Sequence, residues 1–368
     1  MIYKSMPQNK RIAFSAGNIR LLLIESTIPL IFIVLCFVGA YYARLEPSFL
    51  LNEIILRMAR NPVLVLALIV PVIAGMGMNF AIVIGAMAGQ IGAIIVTHYG
   101  FGGLLGFVGA TLIATPFAVI FGYFAGILLN KVTGKEMITS LIMGFFANYL
   151  WQLVLLVFMG TLIPMRNTVL LLESGVGMRN TVDLVGIRYA LDDLARINVF
   201  PGVYISVVTL IVVAIFCVMV TFFIKTKLGQ EIRAVGQNAQ IARISGINVE
   251  QVKLIAIIIS TVLAAWGQLI WLQSIGTLNT YGSHVQVGLF AVAALLIGGA
   301  SVVKANVWQV LLGTFLFHTL FIISPAAGRN LLGDAQIGEY FRVFVAYGVI
   351  AVVLVLHAWK RGAVAKKM

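Results

Sequence analysis

The sequence predicts an all-α, polytopic integral membrane protein of about ten transmembrane helices, with N- and C-termini in the cytoplasm. Three observations carry that expectation. The 368 residues are 61% hydrophobic and only 10% charged, whereas a soluble domain carries about 25% charged residues, so a water-facing surface of this size could not be clothed. The apolar runs are continuous, which suits membrane helices and not the alternating strands of a barrel. The basic surplus, 25 Lys+Arg against 12 Asp+Glu, sits mostly in short segments between apolar runs. That is the positive-inside pattern, and it needs no nucleic-acid partner.

Taken in order, residues 1–25 form a cytoplasmic N-terminal segment with Lys4, Lys10, Arg11 and Arg20 ahead of an apolar run. That run is long and no small-x-small cleavage site follows it, which makes it a retained first helix rather than a cleaved signal peptide. An ionised side chain in hydrocarbon costs roughly 2.5–3.5 kcal/mol on insertion scales, so charges mark where the chain leaves the membrane. The charge-free intervals are 26–43, 61–130, 137–165, 197–224, 254–303, 305–328 and 343–359. With about 20 residues per crossing, they hold one, three, one, one, two, one and one helices. The whole chain, 1–368, is then a single transmembrane domain.

Orientation follows from the connecting segments. Segments 131–136 and 225–253, the point near Lys304 and the tail with Lys360, Arg361, Lys366 and Lys367 are basic and face the cytoplasm. The extracytoplasmic segment 161–199 is balanced, with Arg166, Arg179, Arg188 and Arg196 against Glu173, Asp183, Asp192 and Asp193. Arg44, Arg57 and Arg60 fall on the outer side as exceptions. Within 61–130, the stretch Pro71 to Asn79 breaks the apolar run with Pro71, Gly75, Gly77 and Asn79. A broken helix near the midplane is a place where transporters bind substrate. The pairs Gly85 with Gly89, Gly102 with Gly106, and Gly122 with Gly126 suit close helix packing instead. Cys36 and Cys217 lie in apolar stretches and His98, His284, His318 and His357 are scattered, so no disulfide or metal site is expected.

Segment 225–253 reads KTKLGQEIRAVGQNAQIARISGINVEQVK. It is too polar to enter the membrane, and helix formers at 231–235 and 239–244, broken by Gly236 and Gly246, predict two short helices lying under it. A soluble partner could push on such an element and move the flanking spans.

This run resembles the cytoplasmic loop of ribose-type, simple-sugar ABC importer permeases, of the branched-chain amino acid/ribose permease family. The matching positions are Leu228, Gly229, Ile232, Ala234, Gly236, Asn238, Ala242, Arg243 and Ser245 to Val249; Ile241 stands where the family usually has alanine. Leu263 to Gly267 and Ala291 to Ser301 are similar to two further family stretches. Val302 to Asn306 departs from the family's Gly-Gly-x-Gly, and Asn79 to Gly85 replaces its Asp-Leu-Ser-Val-Gly motif and lacks the acid. The resemblance implies a multi-pass permease in a bacterial-type inner membrane. Its partners would be ABC ATPase subunits, an extracytoplasmic solute-binding protein and a second permease, equal or different. It also implies that 228–249 is the ATPase-coupling element, through Leu228, Gly229, Arg233, Gly236, Asn238, Arg243, Ser245, Gly246 and Asn248. The chain has no G-x-x-x-x-G-K-[ST] phosphate loop. It is accordingly expected to be no enzyme and to bind no cofactor itself, with ATP on the partner.

A path for a neutral polyol needs hydrogen-bonding groups and aromatic faces inside apolar runs. The candidates are Asn79, Phe80, Gln90, Asn148, Gln152 and Gln268, with Gln273 and Thr115 beside them. Asn148 and Gln152 are four apart and share a helix face. The alternative for these amides is to bridge helices. Trp151, Trp266 and Trp271 are expected as interface anchors rather than sugar-stacking rings. The solute is expected to be a simple sugar, with a nucleoside or riboflavin-like compound as the alternative within the family. An ion-coupled secondary transporter, the reading from another class, would call for paired intramembrane acids, and the spans hold almost none.

Overall fold

Away from water, a backbone must close its own hydrogen bonds, and an uninterrupted apolar run does so as a helix. The structure, a computed structural model, describes residues 16–365, with side chains from Thr27 to Val352 and at Val355. The tail residues Lys4, Lys10, Arg11, Lys366 and Lys367, and the side chains of Arg20, Glu25, His357, Lys360 and Arg361, lie outside the described residues.

The helices are α1 (Ala16–Ala43), α2 (Pro47–Arg60), α3 (Pro62–Leu66), α4 (Ile69–Ile73), α5 (Ile82–Tyr99), α6 (Gly103–Asn130) and α7 (Glu136–Leu153). They continue with α8 (Val207–Lys225), α9 (Lys227–Gln237), α10 (Ala239–Ile244), α11 (Val249–Ile275), α12 (Val285–Ile297), α13 (Val307–Leu332) and α14 (Ala335–Ala365). Among the described residues, seven are long and apolar enough to cross a membrane. The bent pair of α2 with α3–α4, at 44°, makes an eighth if taken as one span. Two shorter apolar helices, Thr27–Ala43 and Val285–Ile297, fall where the sequence places two further helices.

Two expectations change. The break expected over 71–79 is present but starts later: Pro71 sits inside α4, the irregular stretch is 74–81, and a second, 44° bend lies at Asn61. The fold is also not wholly helical. Short strands β1 (Thr181–Asp183), β2 (Arg196–Phe200), β3 (Val203–Ser206) and β4 (Thr277–Asn279) pair antiparallel as β1–β4 and β2–β3. They lie in the connections between helices, where backbone groups find partners across a hairpin (β2–β3) or between distant segments (β1–β4) instead of along a helix.

The core is organised around α11. A Cβ on Gly85 would meet the Thr261 carbonyl oxygen at 2.5 Å, and one on Gly89 that of Ala265 at 2.6 Å. On α6, Gly122 and Gly126 approach Ile258 and Leu254 in the same way. Two of the three expected small-residue pairs thus seat α5 and α6 directly on α11, where close backbone approach gives dispersion contact without a hydrophobic drive.

The helix ends gather into two sets. At one end, Asn130 Nδ2 donates to the Glu250 carbonyl at 2.8 Å, and Gly75 and Gly77 lie beside Gly236 and Met137. At the other, Gly103 N–H donates to Gly186 (2.7 Å), Leu184 N–H to Gly276 (3.0 Å) and Tyr189 N–H to Gln273 (2.8 Å). Residues 184–191 therefore lie over the C-terminal end of α11 and the α5–α6 turn.

Candidate functional site

The surface pair α9–α10 is built by caps. Thr226 Oγ1 accepts from Gly229 N–H at 3.2 Å. Asn238 Oδ1 accepts from Gln240 and Ile241 N–H, both at 3.0 Å, and Asn248 Oδ1 from Gln251 N–H at 3.0 Å. These are orphan donors of helix starts, each met by a short side chain. The expected break at Gly236 is displaced: α9 runs through it to Gln237, and Asn238, with an extended backbone at φ −157°, separates the helices. Of the proposed coupling residues, Gly229 is buried and Leu228 and Gly236 are partly buried, whereas Arg233, Asn238, Arg243, Ser245, Gly246 and Asn248 are exposed. Ile232 and Val235 form the buried face of α9. Arg243 pairs with Glu250, and Gly246 takes a left-handed φ of 84° that ends α10.

This pair is fastened to the bundle at two points. A Cβ on Gly75 would lie 2.9 Å from Gly236 Cα, and one on Gly236 would overlap the Ile73 carbonyl; the end of α4 thus sits on α9 backbone to backbone. Beside it, Lys253 Nζ donates to Glu136 Oε1 at 2.9 Å, with both side chains only 9% exposed. That buried pair ties the start of α11 to the start of α7. Sequence reasoning missed it, because 117 residues separate the partners.

The α2–α3 half of the same broken span borders a cavity of about 230 Å³. Its polar lining is Arg57, Arg60 and Asn61 from the α2–α3 bend, Ser283, Gln286 from α12 and His318 from α13, and its aromatic lining is Trp271, Phe290 and Phe321. Arg57 pairs with Glu53 at 3.6 Å and lies 5.3 Å from the Phe321 ring centroid, with Arg342 at 3.3 Å from the same centroid. Arg57 Nε, Arg60 Nε and His318 Nδ1 are buried and have no hydrogen-bond partner. The sequence held one signal for this site: Arg57 and Arg60 are exceptions to the positive-inside bias.

The path candidates do not meet in that cavity. Asn79 Nδ2 reaches Ser260 Oγ at 3.4 Å and its Oδ1 accepts from Ala81 N–H at 3.1 Å. Phe80 N–H donates to Ser140 Oγ at 3.1 Å, and both contacts hold the 74–81 loop. Phe80 and Asn148 line a smaller cavity of about 50 Å³ with Gly144 and Val285. Asn148 Oδ1 lies 2.8 Å from His284 Nε2, while Gln152 is partly buried one turn further along α7. Gln90 on α5 and Gln268 on α11 are fully buried, and neither amide has a partner. Gln273, by contrast, accepts from Leu191 N–H at 3.2 Å.

The tryptophans differ from the expected interface anchors. Trp151 is buried and its Nε1 donates to the Thr280 carbonyl at 3.0 Å, and Trp266 Nε1 donates to Thr115 Oγ1 at 2.9 Å. Both indoles serve the interior because they have partners there, which is what a buried indole N–H requires. Near Trp151, Tyr281 donates its hydroxyl to the Met178 carbonyl at 2.5 Å; burial pushes this phenol above its ordinary pKa, so it stays a donor.

Residues 50–355 match the family described as branched-chain amino acid transport system / permease component. The xylose transport system permease protein XylH of Haemophilus influenzae is 31% identical over 189 residues, 51% of this chain and 45% of that protein. The D-allose transport system permease protein AlsC of Escherichia coli is 25% identical over 335 residues, 88% of this chain and 90% of that protein. The nucleoside ABC transporter permease protein NupB of Lactococcus lactis is 24% identical over 249 residues, 64% of this chain and 60% of that protein. The chain thus spans less than half of the xylose permease and nearly all of the allose permease. No solved structure matches at a significant level. With apolar helices along its length and a family match over most of it, this chain belongs to the branched-chain amino acid transport system permease components, multi-pass membrane subunits of transport systems rather than enzymes.

Proposed function

We propose that the chain is the permease subunit of an ATP-driven importer in a bacterial-type cytoplasmic (inner) membrane, and that it forms the path of a small polar solute, a simple sugar. It crosses the membrane ten times with both termini cytoplasmic, α9–α10 faces an ABC ATPase that holds the ATP, and 161–199 faces an extracytoplasmic solute-binding protein. A second permease, identical or not, completes the pathway.

One observation carries this reading. The broken span α2–α4 borders the polar, aromatic cavity at one end and sits backbone to backbone on α9 at the other, so a push on α9 reaches the cavity through one element. The permeases named for xylose and D-allose support the sugar. A nucleoside is the second reading, favoured by the nucleoside permease among the relatives and by Trp271, Phe290 and Phe321 around the cavity, since flat bases stack on aromatic faces.

The test is uptake by cells that carry the permease together with its ATPase and binding protein, using labelled xylose, allose and uridine. ATP-dependent accumulation of a sugar supports the first reading, and of uridine the second. Accumulation that persists without the ATPase and collapses with the ion gradient would overturn both in favour of a secondary transporter.

A further inference from the structure

The cavity contains more cationic charge than a neutral sugar requires. Arg60 makes no ion pair among the described residues, and its Nε is buried without a partner. Arg57 pairs with Glu53 through its Nε at 3.6 Å, an ion pair longer than a hydrogen bond. Glu53 and, more weakly, Asp192 attract Arg60 from beyond ion-pair distance, and Asp192 already accepts a 2.5 Å hydrogen bond from Thr209. A partly buried guanidinium with no anion in contact is costly, and an unmet buried Nε donor adds to that cost. Two guanidinium groups three residues apart on α2 lie on one helix face and open on the same space. Such a fork matches a carboxylate or phosphate in shape as well as charge. Trp271 lines the same cavity, so a sugar ring has an aromatic face to rest on while its charged group meets the arginines.

We infer that this cavity is an anion-binding site, holding the carboxylate or phosphate of a charged solute between Arg57 and Arg60. This deepens the importer reading and rests on it: the cargo is then a sugar acid or a sugar phosphate rather than a neutral sugar. An anionic lipid headgroup offers the same chemistry, and the experiment separates the two sources.

The experiment is thermal unfolding of the detergent-purified full-length permease, titrated with glucuronate, ribose 5-phosphate, glucose, ribose and, in mixed micelles, phosphatidylglycerol against phosphatidylcholine. The expected result is stabilisation by at least one of the charged sugars and none by its neutral counterpart. Arg60→Gln, checked for monodisperse elution, should weaken the apparent affinity for the anion about tenfold or more. Glu53→Gln frees Arg57 and should strengthen it, a change in the opposite direction that simple loss of packing would not produce. Stabilisation by phosphatidylglycerol alone, lost in Arg60→Gln, supports the anion site and assigns it to lipid. Equal response to glucose and glucuronate, or no anion response that depends on Arg60, overturns the inference. Either failure leaves the importer reading intact, because ATP-dependent uptake is measured separately in cells.

Discussion

Gly75 and Gly236, 161 residues apart, meet backbone to backbone: a Cβ on the first would lie 2.9 Å from the Cα of the second. The contact joins the end of α4, the last part of a broken span, to α9 on the surface. Nothing larger than glycine fits on the α9 side, where the Ile73 carbonyl occupies the place of a Cβ.

Gly236→Val should therefore separate α9 from α4 without preventing membrane insertion. The expected outcome is normal amount in the membrane, solute uptake reduced at least about tenfold, and continued ATP hydrolysis by the assembled transporter. Unchanged uptake by this variant would sink the coupling role of the contact.

Lys253 and Glu136 form a buried pair. Removing one partner leaves an uncompensated buried charge, which costs about 3–5 kcal/mol. Lys253→Met should lower the unfolding temperature markedly, and the double variant Lys253→Met, Glu136→Gln should recover most of that loss. A double variant as unstable as the single one would show that the pair is not the source of the stability.

Arg243 and Glu250 form a contrasting pair, exposed on both sides at 65% and 62%. Such pairs contribute about 0–1 kcal/mol. Arg243→Ala should leave the melting temperature nearly unchanged, yet reduce coupled uptake if this face meets the ATPase. A measurement of both quantities in one preparation separates stability from coupling.

Trp151 Nε1 donates to the Thr280 carbonyl. Trp151→Phe keeps a ring but leaves that buried carbonyl unmet, a loss of about 1–3 kcal/mol. Thr280 follows β4, which pairs with β1, so hydrogen exchange of the β1–β4 amides should quicken in this variant. Unaltered protection there would place the indole's role elsewhere.

The sequence by itself determined the class of protein. Continuous apolar runs, lacking the alternation of barrel strands, can close their backbone hydrogen bonds in hydrocarbon only as helices. The motif residues of 225–253 were legible for a local reason: Asn238 and Asn248 cap helices that start within three residues of them. Gly85, Gly89, Gly122 and Gly126 were legible as packing sites, though not which helix they meet.

Tertiary structure decided everything that depends on distant partners. Only the fold brings Lys253 to Glu136, Gly75 to Gly236, and Trp151 to Thr280. It also turned Arg57 and Arg60 from exceptions in a charge count into the polar wall of a cavity. Local pattern reports what one segment needs from its surroundings, while a site needs segments far apart in the chain to arrive at one place. That arrival is set by the packing of α3, α5 and α6 on α11 and of α2 and α12 on α13, and no single stretch of sequence contains it.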